Sequence, residues 1–143
     1  MSSIVLVLVV GCGVVVVTAA ITIYYRRRSF KSRGLVRPKL DFFPKYEVEF
    51  VCSSDAIRQS LVSLKFDPSG EDPDRFSRGR IYGDFSAKAI KWHVQIDPDR
   101  SALKVCAQWV ILFDTGDTWQ LIEDILSTAR EKASQEEVSA LRH

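Results

Sequence analysis

Asp114 stands in the segment Phe113-Asp114-Thr115-Gly116, directly after apolar Val110, Ile111 and Leu112, so its carboxylate is offered on a tight turn at the end of a strand-like run. A carboxylate placed that way beside a second one can share a proton with it and serve as acid and base in hydrolysis. His93 is the sole histidine outside the C-terminal tail. With Cys52 and Cys106 it would make three zinc ligands, but no C-x-x-C or comparable spacing joins them. Arg75, Arg78 and Arg80 lie beside Asp72 and Asp74, and local ion pairing accounts for them without an anionic ligand. The sequence contains no phosphate loop, dinucleotide fingerprint, serine nucleophile elbow or kinase signature.

The Asp114-Thr115-Gly116 tripeptide resembles the motif of aspartic proteases, which implies a twin aspartate and continuing β structure after the glycine. Here Asp117 opens a helical pattern instead, and no second apolar-Gly segment follows. The residues are therefore read as a strand-to-helix turn in which Asp, Thr and Gly supply caps and unusual dihedrals. No catalytic residue, metal site or cofactor is expected.

The elements around these residues are legible from periodicity. Tyr46, Val48 and Phe50 alternate with Glu47 and Glu49, the period of a strand with one buried face. Ser53 or Ser54 can cap a helix whose apolar face is Ile57, Leu61 and Leu64. Asp67 to Asp74 reads as an acidic, solvated loop. Three strand-like runs follow: Phe76 to Phe85, weakened by Gly79 and Gly83; Ile90 to Ile96; and Leu103 to Phe113. Asp97-Pro98-Asp99-Arg100 turns the chain between the last two. Asp117 and Gln120 make a capping-box-like start to a helix through about Ser134, with the stripe Trp119, Ile122, Ile125, Leu126 and Ala129. The order β-α-β-β-β-α predicts an α+β, two-layer sandwich with an antiparallel four-stranded sheet and both helices on one face. Residues 45–134 are assigned to this domain and 135–143 to a flexible tail.

The N-terminus dominates the rest. Residues 1–3 form a short tail, and residues 4–25 are an uncharged run of 22 containing 13 Ile, Leu or Val. At about 1.5 Å per residue it spans roughly 33 Å as a helix, enough for a hydrocarbon core of about 30 Å. A secretory signal would need a basic start, which Met1-Ser2-Ser3 lacks. Val9-Val10-Gly11-Cys12 resembles a bacterial lipoprotein cleavage box, but cutting there leaves another dozen apolar residues. The expectation is a signal-anchor that stays. Tyr24 and Tyr25 fall where an interfacial aromatic belt belongs.

Residues 26–44 read as a basic juxtamembrane linker. Arg26, Arg27, Arg28, Lys31, Arg33, Arg37 and Lys39 are seven basic residues without an acidic one, whereas residues 41–143 hold 13 basic against 18 acidic. The positive-inside rule then places the N-terminus outside and the C-terminal domain in the cytoplasm. Tyr24, Tyr25, Arg26, Arg27, Arg28, Lys31 and Arg33 are the expected membrane-interface set, with anionic lipid headgroups as their partners. An acidic body disfavours nucleic acid.

On the sheet face away from the helices, His93, Gln95, Cys106, Gln108, Val110 and Leu112 form the expected ligand or partner surface. The leading functional expectation is a binding, scaffolding or assembly module held at the membrane with a protein partner. A tethered carrier of lipid or another hydrophobic ligand is the alternative, and four strands make its cavity hard to build.

Overall fold

The computed structural model describes residues 3–32, 37–79, 91–108 and 111–140. The uncharged run forms α1 (Ser3–Arg27), which carries the helix two residues past Tyr25. Its two threonines satisfy their own hydroxyls, Thr18 donating to the Val14 carbonyl and Thr22 to the Thr18 carbonyl, both at 2.8 Å. These two hydroxyls therefore need no partner outside the helix. Among the described residues α1 is long and apolar enough to cross a membrane, a property that signal sequences share.

After α1 the chain forms β1 (Lys31–Ser32), β2 (Asp41–Phe42), β3 (Lys45–Glu49) and α2 (Ser54–Ser63). It continues through β4 (Asp67–Pro68), β5 (Arg75–Arg78), β6 (Trp92–Asp97), β7 (Ala102–Ala107), β8 (Phe113–Asp114) and α3 (Asp117–Ala140). The main sheet runs β1-β3-β7-β6-β5-β4, and β2 pairs with β8 in a separate two-stranded ribbon.

Among the described residues the sheet thus has six strands rather than the expected four, and it is antiparallel except where β1 lies parallel to β3. The additional strands are two-residue ladders at the two edges. One comes from the basic neck and the other from the acidic loop, and two residues cannot show an alternation. Pro68 is tolerated in β4 because an edge strand leaves one row of N–H groups unpaired.

The four long strands follow their alternation. Tyr46, Val105, Val94 and Phe76 stand opposite one another across the sheet, as do Val48, Leu103 and Ile96. All of these belong to one core with Ala56, Ile57 and Leu61 of α2 and Trp119, Ile122, Ile125, Leu126 and Ala129 of α3. Both helices therefore cover the same sheet face. Burying an Ile or Leu side chain is worth about 1.5–3 kcal/mol, so these stripes dominate the stability of the layer. The helices are also joined directly, the buried Ser60 hydroxyl donating to the Ile125 carbonyl at 2.7 Å.

Three boundaries differ from the periodic reading. β7 ends at Ala107 instead of running to Phe113, because both neighbours end there: Trp92 and Lys45 are the last residues opposite it, and Pro44 has no N–H to extend β3. The expected strand from Phe76 to Phe85 is described only as β5, and residues 80–90, like Trp109 and Val110, lie outside the described residues. The helix expected to end near Ser134 continues to Ala140, since Gln135 to Ala140 contains no Gly or Pro to stop it. Ser53 does cap α2, its hydroxyl accepting from the Ala56 N–H at 3.2 Å.

Candidate functional site

The junction between α1 and the domain is folded. Lys45, the first residue of β3, is 7% exposed, and its ammonium donates to the Arg26 and Arg28 carbonyls at 3.2 Å each. These are orphan acceptors of a helix C-terminus, where a cation also meets the negative end of the helix dipole. The same ammonium lies 4.8 Å from the Tyr25 ring centroid and 5.4 Å from that of Phe30. Burial pushes the Lys45 pKa down, and the neighbouring Cys106 partly opposes this. The buried Tyr25 hydroxyl donates to the Pro44 carbonyl at 3.0 Å, and Phe43 stacks edge-on against Tyr24 at 5.4 Å.

The structure thus brings together Tyr24, Tyr25, Arg26, Arg28 and Lys31 from the expected interfacial set, and Arg33 lies outside the described residues. Arg28 Nη1 and Lys31 Nζ both donate to the Phe42 carbonyl, at 3.2 and 2.9 Å. The basic segment is consequently clasped to β2 through its cations and to β3 through the β1 ladder.

Behind the ribbon is a polar cluster. Asp41 and Asp114 are register partners across β2 and β8, and both are buried. Lys31 forms an ion pair with Asp41. The fully buried Tyr46 hydroxyl donates to Asp114 Oδ2 at 3.2 Å, and the Asp41 carboxylate acts on the same phenol. Burial first, and then the two carboxylates, hold the Tyr46 phenol far above its usual ionisation range, so it remains a donor. Asp114 Oδ1 accepts from the Gly116 and Thr118 N–H groups at 3.1 and 3.2 Å, which serves the first turn of α3.

The Asp-Thr-Gly segment is thus a strand-to-helix turn. The cap comes from Asp114, not from a box of Asp117 and Gln120, since the Gln120 amide reaches forward to Asp124 at 3.1 Å. Gly116 adopts φ +114°, and a Cβ there would stand 2.8 Å from Arg37 Nε, so both the turn and the approach of the neck call for glycine. Asp41 as the neighbour of Asp114 was invisible in sequence, because a two-residue ladder between positions 73 apart in number leaves no local pattern.

The outer sheet face gathers part of the other expected set. His93 and Cys106 are cross-strand partners, Gln95 pairs with Lys104 and Arg75, and His93 Nε2 lies 3.3 Å from Gln108 Oε1. Burial lowers the His93 pKa, with the Gln108 hydrogen bond opposing, and burial pushes the Cys106 thiol up. A shallow groove of about 240 Å³ is lined by Phe30, Arg75, His93, Gln95, Lys104 and Cys106 among others. Phe30 comes from the neck, so the face is partly roofed rather than open.

Leu112 is not on this face. β7 ends at Ala107, and Leu112 instead joins the ribbon, its carbonyl accepting from the Phe43 N–H at 2.9 Å. Val110 lies outside the described residues. Among the described residues no group of three or more His, Cys, Asp or Glu is placed to hold a metal ion. Comparison with protein-family models, curated protein sequences and solved structures gives no match for this chain.

Proposed function

We propose that this is a single-pass membrane protein whose small α+β domain is a binding or assembly module presented at the cytoplasmic membrane surface. The observation that carries this reading is the folded junction: Lys45 holds the Arg26 and Arg28 carbonyls at the end of α1, and Tyr25 is buried against Pro44. A domain fixed to its anchor is presented in one orientation, which suits recognition of a partner in the same membrane plane. The excess of basic residues after Tyr25 supports a cytoplasmic domain. The partner surface is the outer sheet face around His93, Gln95, Cys106 and Gln108. Between the layers, Trp119, Tyr46, Ile57, Leu61 and Leu103 are all fully buried, and this packing favours a module over a carrier with an internal ligand cavity.

The test is crosslinking in native membranes followed by recovery of wild type and Gln108→Arg, after their melting temperatures are shown to be equal. A stoichiometric partner lost from the variant supports the reading, through the cost of burying a charge at a contact. An unchanged set of recovered proteins refutes the assigned face. Digestion of the domain by protease added to sealed cells refutes the orientation.

A further inference from the structure

The β2–β8 ribbon is amphipathic in an unusual sense. One face carries Asp41 and Asp114, only 7% and 4% exposed, turned in to Tyr46. Phe42 and Phe113, paired directly across the other face, are 59% and 57% exposed. Leu40 and Leu112 at the ribbon's ends are 54% and 50% exposed. Alternation along each strand has therefore put carboxylates inward and aromatic rings outward, the reverse of what water favours.

The ribbon is continuous with the end of the apolar helix. Phe43, next to Phe42, contacts both Tyr24 and Tyr25, with ring centroids 5.4 and 6.4 Å apart. Arg28 stands 5.8 Å over the Phe43 ring, and Arg28 and Lys31 both hold the Phe42 carbonyl. Arg26, Arg27, Arg37 and Lys39 come from the same stretch of chain. Exposed aromatic and aliphatic side chains set among cations, beside a tyrosine pair at a helix end, are the composition of an interfacial membrane contact.

We propose that the ribbon is a second membrane contact: Phe42, Phe113, Leu40 and Leu112 enter the headgroup region of the leaflet that α1 leaves, while the flanking cations meet anionic headgroups. This rests on the reading of α1 as a membrane span. The domain would then be held at two points, the helix and the ribbon, with Lys31 and Asp41 between them.

The test uses the full chain in vesicles of phosphatidylcholine and phosphatidylserine, with single cysteines introduced after Cys12, Cys52 and Cys106 are replaced. Phe113→Cys and, independently, Phe42→Cys carry a fluorophore, and quenching by lipids spin-labelled at the headgroup is measured. Val51→Cys, which follows the end of β3 opposite to Lys45, is the solvent reference, and Val14→Cys with acyl-chain labels reports the span. The expected result is quenching at positions 113 and 42 several times that at 51. If position 14 is quenched but 113 and 42 match 51, the ribbon contact is overturned and the span stands. If position 14 is also unquenched, both fall. Shielding of 113 and 42 from lipid labels and from aqueous iodide alike would mean that protein covers the ribbon, which also overturns the proposal.

Discussion

Replacing Lys45 by Met tests whether the domain is fixed to its helix. Met keeps the length of the stem and removes the ammonium, so the two hydrogen bonds to the Arg26 and Arg28 carbonyls vanish. At 3.2 Å they belong at the lower end of charge-assisted bonds, so their loss costs about 3 kcal/mol together. The ring contacts with Tyr25 and Phe30 add about 1 kcal/mol. Against this, Met no longer carries a buried charge, which returns on the order of 2 kcal/mol. The net loss of about 2 kcal/mol corresponds to a roughly 30-fold shift toward the undocked neck. Hydrogen exchange of the amides of Arg28 to Ser32, measured in lipid nanodiscs, reads that equilibrium directly. Exchange there should accelerate by that factor while β6 and β7 keep their protection, and Lys132→Met should leave it unchanged. Acceleration of less than about two-fold, with an unaltered melting temperature, would refute the assignment of the dock to Lys45.

Two further outcomes follow from the core and the outer face. Trp119→Ala removes a ring that is 1% exposed and packs edge-on against Tyr46 at 5.9 Å, so it should cost about 3–5 kcal/mol in urea unfolding; a loss under about 1 kcal/mol would mean that the ring is not buried. Burial keeps the His93 folded pKa below its usual 6.5, so the unfolded chain takes up the proton first. The contribution of His93 is then complete above about pH 6.5 and lost as pH falls through the lower folded value, so wild type should lose more stability than His93→Gln between about pH 7.5 and about pH 5.5, and equal losses would refute this.

What could be read from sequence is what repeats over several residues. The alternation of Trp92, Val94 and Ile96 and the helical stripe from Trp119 to Ala129 both hold in the folded chain, because each spans enough positions to express a period. Phe113 continued the alternation of β7 by number, yet belongs to another sheet. The strand stops where its partners stop, and Pro44 is a tertiary cause that lies 63 residues from Ala107 in sequence numbering. The same holds for the candidate sites. His93 and Cys106 were placed on one face because alternation alone decides it. Nothing in the sequence singles out Lys45 among 20 basic residues, and only the folded chain brings its ammonium to the end of α1.

Asp114 ties together three otherwise separate pieces of the chain. Its strand holds β2 and the neck, one oxygen holds Tyr46 of the central sheet, and the other holds the first turn of α3. Opening the ribbon therefore strips a sheet tyrosine and a helix terminus of their acceptor at the same moment. The neck, the ribbon and the cap of α3 should open together, while β3 stays paired with β7. A partner that seizes the ribbon would be felt at the start of the helix, through a single carboxylate.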